Sequence, residues 1–133
     1  MCWTNYMATP IVLKKTLRVY KVGKSACLGN FISLYQNTMY LRYSTNPTIK
    51  INPEFARYSP SMDSFLDALW IYDSFQIHEG YHSYLTKKIA KCNRKEYNNI
   101  GIFEIPEGAT IYVNYRSREV VSTDIKYLGL LEE

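Results

Sequence analysis

Residues 101–128 read GIFEIPEGATIYVNYRSREVVSTDIKYL. Gly101 to Ile105 is a short apolar run that stops at the turn chemistry of Pro106-Glu107-Gly108. Thr110 to Tyr115 (TIYVNY) follows, Arg116 to Arg118 form a hairpin tip, and Glu119 to Leu128 closes the sheet. Working back toward the amino terminus, Leu17 to Val22 (LRVYKV), Phe31 to Tyr35 (FISLY) and Met39 to Tyr43 (MYLRY) are β-branched or aromatic runs. They are separated by Gly23, Gly29-Asn30 and Asn37, and are expected to be antiparallel strands. Asn46-Pro47 and Asn52-Pro53 punctuate a loop with one short strand, because a residue before proline is pushed away from helical geometry.

Two helices are expected between these halves. Ser61 suits an N-cap with Asp63 in the first turn, and Met62, Phe65, Leu66, Leu69 and Trp70 recur at helical spacing. From about Thr86 to Lys95, Leu85, Ile89 and Cys92 share one side while Lys87, Lys91 and Lys95 line another. The expected fold class is therefore α+β: one domain over residues 1–133, with an antiparallel sheet of about five to seven strands and two helices packed on one face.

Composition narrows the function classes. The 133 residues include 13 Tyr, 5 Phe and 2 Trp, an aromatic content that excludes intrinsic disorder as the main description. The uncharged stretch Met1 to Leu13 is too short for a membrane span, lacks a basic leader and contains Pro10. With Cys2, Cys27 and Cys92 forming neither a CxxC pair nor an even set, reduced thiols in a cytosol are expected and a zinc ribbon is excluded. Charge is uneven: residues 1–60 hold eight Lys or Arg against Glu54 alone, giving +7, whereas residues 61–133 hold eight bases and eleven acids, giving −3. A basic, Tyr-rich half suits an anionic partner, because cations attract phosphate and rings stack on bases; solvated lysines guarding a sheet edge account for the same pattern.

One stretch matches a catalytic motif. His78-Glu79-Gly80-Tyr81-His82 fits H-E-x-x-H, in which two histidines one helical turn apart bind zinc and the glutamate activates water. Against it stand Gly80, which costs about 1 kcal/mol inside a helix, the lack of a third histidine, and Ser83 or Thr86 as the start of a helix rather than its middle. No paired-carboxylate spacing, G-x-S-x-G or P-loop is present. A non-enzymatic chain without a cofactor is expected, with a zinc hydrolase on His78 and His82 as an alternative.

The Met-Cys start, Val19-Tyr20-Lys21-Val22, Gly80-Tyr81-His82-Ser83-Tyr84 before a Lys/Ala helix, Ile105-Pro106-Glu107-Gly108-Ala109 and Val121-Ser122-Thr123-Asp124-Ile125 form a pattern along most of the chain after residue 17. In this pattern the chain resembles small uncharacterised proteins of bacteriophages and prophages. The resemblance centres on Gly80 to Tyr84 and needs no histidine at 78. It implies an accessory protein acting in the host cell cytoplasm, of a class that often counters host immunity by sequestering a signalling molecule or blocking a defence protein.

The expected activity is sequestration of a nucleotide-like anionic ligand by Tyr81, His82, Tyr115, Arg116 and Arg118, with Arg42 and Tyr43 from the basic half. Strand-tip arginines in water and core tyrosines explain the same residues equally well. An inhibitor of a host defence enzyme, docking through aromatic and arginine side chains, is the alternative from a different class. Sequence-specific nucleic-acid binding is not expected without a reader motif, no membrane is expected, and a homo-oligomer is left open.

Overall fold

The structure is a computed structural model that describes residues 5, 6, 9–34, 37–57 and 73–132. Among these residues the chain is mostly antiparallel β: β1 (Asn5–Tyr6), β2 (Ile11–Val12), β3 (Leu17–Ser25), β4 (Phe31–Ser33), β5 (Met39–Tyr40), β6 (Glu54–Arg57), β7 (Asp73–Gln76), β8 (Tyr81–Tyr84), β9 (Asn99–Ile105), β10 (Thr110–Asn114), β11 (Glu119–Ser122) and β12 (Lys126–Leu130). The described helical structure is a 3-10 turn at Cys27–Gly29 and one six-residue helix, α1 (Lys87–Cys92).

The α+β expectation with two helices packed on one face is thus corrected. The proposed helix from Ser61 to Trp70 lies outside the described residues. The second helix is real but short: the Thr86 side chain caps it by accepting from Ile89 N–H at 3.2 Å, and Asn93 ends it. Ala90 is its buried residue, packed in a cluster with Tyr20, Tyr84 and Ile100. Among the described residues the main core is built between strands, from Val19, Phe31, Tyr40, Phe103, Val120, Ile125 and Tyr127.

A three-stranded sheet orders β1-β7-β6, and a nine-stranded sheet orders β12-β9-β3-β8-β11-β10-β2 with β4 and β5 branching from β3. The long ladder is β3 on β9, from Leu17↔Ile105 to Gly23↔Asn99. The stretch Glu119 to Leu128, expected as one closing segment, divides at Thr123–Ile125: β11 pairs β10 and β8, while β12 crosses to β9. Asp124 holds this corner, accepting from the Thr123 and Thr48 hydroxyls at 2.6 and 2.5 Å.

The segment after β5, expected as a loop, lies along the free edge of β12. Tyr43 N–H donates to Tyr127 O at 2.7 Å, Asn46 N–H to Ile125 O at 2.9 Å and Ile49 N–H to Thr123 O at 2.9 Å. Backbone bonding therefore runs in a closed circuit: β3 to β9, β9 to β12, β12 to residues 43–49, back through β5 to β4, and β4 to β3. A ring this narrow is filled by side chains. Phe31, Tyr40, Phe103 and Tyr127 fill it, with ring centroids 5.0–5.5 Å apart for the pairs Phe31–Phe103, Phe31–Tyr127, Tyr40–Phe103 and Phe103–Tyr127. Several of the tyrosines that marked the composition are consequently core residues.

Candidate functional site

The edge of β3 opposite β9 forks. Tyr20 pairs with Tyr84 of β8, whereas from Gly23 onward the same edge pairs with β4. At Lys21, between the Tyr20–Tyr84 pair and the Val22 carbonyl that accepts from Leu34 N–H at 3.4 Å, the two partners diverge, and two cavities open in the gap. The larger, about 350 Å³, is lined by Lys21, Thr38, Tyr40, Asn46, Tyr81 and His82, with exposed Glu79 on its wall. The other, about 260 Å³, is lined by Lys21, Ser33, His82, Ser83 and Asn93. Lys21 and His82 are common to both.

Lys21 occupies this place because a strand alternates its faces. It falls in phase with Val19 and Gly23, which face the aromatic interior, rather than with Tyr20 and Val22, which meet α1. Only 4% of the residue is exposed, and its Nζ lies 5.1 Å from the Tyr40 ring centroid and 5.8 Å from that of Phe103. Among the described residues no carboxylate pairs with it. Burial alone lowers its pKa from 10.5 to about 7. The aromatic faces offset part of the cost of desolvating the ammonium, but they supply no counter-charge.

The neighbours are tuned to stay neutral. Burial first, and then the Lys21 charge, lower the pKa of His82 to about 4, against a 3.3 Å hydrogen bond from Nε2–H to the His78 carbonyl. That bond makes Nδ1 the acceptor nitrogen of the ring. Burial and the adjacent Tyr81 raise the pKa of Tyr40, against a hydrogen bond with Ser33. Tyr81 donates its hydroxyl proton to the Pro47 carbonyl, which pins β8 to the segment that closes the ring.

His82 makes a first testable statement. Its folded pKa lies below the unfolded value of 6.5, so the unfolded chain takes up the proton first and stability is lost as pH falls from about 6.5 to about 4. His82→Gln is expected to remove that slope, worth at most about 3 kcal/mol at 1.36 kcal/mol per unit. Urea denaturation of both forms at pH 4.5 and 7 measures it; equal pH dependence of the two would contradict the burial of this ring.

Of the seven residues expected to bind ligand, Tyr81 and His82 meet in the cavity and the rest do not. Tyr115, Arg116 and Arg118 are exposed on the β10–β11 turn, where Asn114 Oδ1 accepts from Arg116 and Ser117 N–H at 3.1 and 3.3 Å. The Arg118 carbonyl accepts from Leu85 N–H, three residues beyond His82, or about 10 Å along the strand. Arg42 and Tyr43 lie on the far side of β12, the guanidinium stacked on the tyrosine ring at 4.8 Å; Arg42 shares a third cavity there with Arg18. Lys21, Tyr40 and Ser83 belong to the site without having been singled out. The signal for Lys21 was available: a lysine in phase with Val19 and Gly23 on an otherwise apolar strand face.

The H-E-x-x-H stretch is not helical. His78 has no regular secondary structure, Glu79 and Gly80 form a bend with Gly80 at φ +102°, and His82 lies on β8. A Cβ at Gly80 would come within 2.5 Å of Val121 Cγ1, so glycine is required by both conformation and space. Two histidines on a turn and a strand do not converge as helix neighbours do. Among the described residues no three His, Cys, Asp or Glu side chains gather as a metal site.

No family model, curated protein or solved structure matches the chain.

Proposed function

We propose that the chain is a small accessory binding protein, of phage or mobile-element origin, that sequesters a nucleotide-like anionic molecule in the fork cavity without turning it over. The observation that carries this is Lys21: a nearly fully buried amine facing a cavity, without a carboxylate partner among the described residues. A phosphate or carboxylate would supply the missing counter-charge, and uptake of a proton by the amine would accompany binding. Tyr40 and Tyr81 supply the aromatic wall, and Asn46 and Thr38 supply polar groups of the kind that orient a ligand. The resemblance to small phage proteins read from the sequence supports action in the host cytoplasm against a defence signal. Among the described residues no helix is long and apolar enough to cross a membrane.

Calorimetry against cyclic and ADP-ribose-derived nucleotides tests the reading. At least one is expected to bind, more tightly at pH 6.5 than at pH 8.5, because raising the pH through about 7 removes the proton from Lys21. Failure of every member, or binding that is unchanged when Lys21→Met removes the charge, overturns it.

A second reading has its own observation. Leu28, Leu34, Met39 and Leu41 are 93%, 49%, 45% and 52% exposed, clustered in sequence around the β4–β5 hairpin. Such side chains suit an inhibitor that docks on a host defence enzyme. Loss of one specific host partner in a pull-down on Leu28→Asp/Met39→Asp, with nucleotide binding intact, would favour it over sequestration.

A further inference from the structure

The surroundings of the Lys21 nitrogen suit more than a fixed charge. An amine placed only to hold an anion is normally kept charged by hydrogen-bond acceptors or a nearby carboxylate. Here the nitrogen is flanked by the faces of Tyr40 and Phe103 and has neither among the described residues. Groups facing it from the other elements stay neutral too: His82 and Tyr81 on β8 and Tyr40 on β5, with Glu79 exposed at the wall. The second cavity it lines also contains Ser83, 3% exposed, whose Oγ has no hydrogen-bond partner among the described residues. A buried hydroxyl left so is expensive unless a bound molecule satisfies it. Position, neutrality of the surroundings and an unanswered hydroxyl together describe a site built for a reactive amine.

We infer that Lys21 captures carbonyl compounds, forming an imine with an aldehyde or ketone group of the ligand that enters the fork cavity. The inference rests on the ligand-binding reading and narrows its ligand to a carbonyl-bearing molecule. The Nζ lone pair attacks the carbonyl carbon while the C=O π pair moves to oxygen. One N–H proton reaches that oxygen, giving a carbinolamine; a second protonation expels it as water as the C=N bond forms. Loss of the last N–H proton leaves the imine, so amine and carbonyl become imine and water with no change of oxidation state. His82 Nδ1, a neutral acceptor lining the same cavity, is suited to relay these protons. An amine half-deprotonated near pH 7 has on the order of 1,000-fold more free base there than an ordinary lysine.

Pyridoxal 5′-phosphate, an aromatic aldehyde carrying a phosphate, is the probe. The full chain is incubated with it at pH 7.5, reduced with borohydride, and mapped by mass spectrometry. One adduct per chain is expected, on Lys21, forming roughly 10- to 100-fold faster than on any of the other nine lysines. Its rate should rise with pH through about 7, and pyridoxine 5′-phosphate, which has no aldehyde, should compete. Lys21→Arg keeps a cation without a nucleophile, and should lose the adduct while retaining affinity for pyridoxine 5′-phosphate within about tenfold. Labelling spread over exposed lysines, or an unlabelled Lys21, overturns the inference. If pyridoxine 5′-phosphate binds but the aldehyde leaves no reducible adduct on Lys21, imine formation is refuted and the anion-binding reading stands.

Discussion

Lys21→Met is expected to stabilise the fold at pH 7 by about 2 kcal/mol or more while abolishing ligand uptake. Methionine is unbranched and of similar length, so it fills the same place between Tyr40 and Phe103 without forcing a new rotamer. It removes a group whose charged form is penalised by burial. The pH dependence identifies the cause. The folded pKa is about 7 against 10.5 unfolded, so between these values the unfolded chain holds the proton that the folded chain has released. Stability from this residue is therefore fully present above pH 10.5 and is lost as pH falls toward 7, below which both states are protonated. The advantage of the Met form should be largest at and below pH 7 and shrink toward pH 10, a window separate from that of His82. Urea denaturation at pH 6.5, 8.5 and 10, with calorimetry alongside, measures both effects. A Met form less stable than the parent at pH 6.5 would show that the amine is a structural member of the core. A buried residue whose removal helps folding and harms binding is held in place by function.

The second large effect lies in the ring that supports the site. Gly23→Ala is expected to cost about 3 kcal/mol or more, beyond the usual penalty for overpacking. A Cβ there would lie 2.2 Å from the Ile32 carbonyl oxygen and 2.6 Å from Phe31 Cζ, and the first of these is backbone of the β4 ladder, which cannot rotate aside. Relief requires β4 to leave β3, which opens the ring and widens the fork at Lys21. Gly101→Ala should cost less, because its nearest neighbours are the side chains of Phe103 at 2.7 Å and Phe31 at 3.1 Å, which have some freedom to shift. Thermal unfolding of the two variants gives the order directly. Equal, small losses would mean that the Phe31 ring is not packed against β3 as described.

Much of the strand content is legible from the residues. Leu17 to Val22, Gly101 to Ile105 and Thr110 to Tyr115 are found close to their expected bounds, as is the hairpin tip at Arg116 to Arg118. Thr86 is the cap of the helix that follows β8. These are local matters: alternation, a proline-glycine turn, and a hydroxyl three residues before an unsatisfied N–H. What local sequence does not reveal depends on partners distant in the chain. Residues 43–49 carry proline and asparagine and read as a loop, and they are irregular, yet their N–H groups pair with the carbonyls of Thr123, Ile125 and Tyr127, more than 70 residues away. Tyr81 to Tyr84 reads as the approach to a helix, yet it is an interior strand between β3 and β11. Arg116 and Arg118 have the chemistry to bind phosphate, but chemistry alone does not say which end of β8 they reach.

By itself the sequence determined that this chain is a Tyr-rich, strand-forming protein with a basic first half, and which side chains share a face of each strand. Period-two alternation is a property of the extended backbone and holds whatever the strand pairs with. The tertiary structure decided which edges meet, and with them the ring, the fork and the cavity. The charge of Lys21 is the clearest case. One basic residue among eight in residues 1–60, it becomes an amine about half deprotonated near pH 7 because strands from opposite ends of the chain exclude water from it. Desolvation depends on everything packed around a group, and that is not written at any one position.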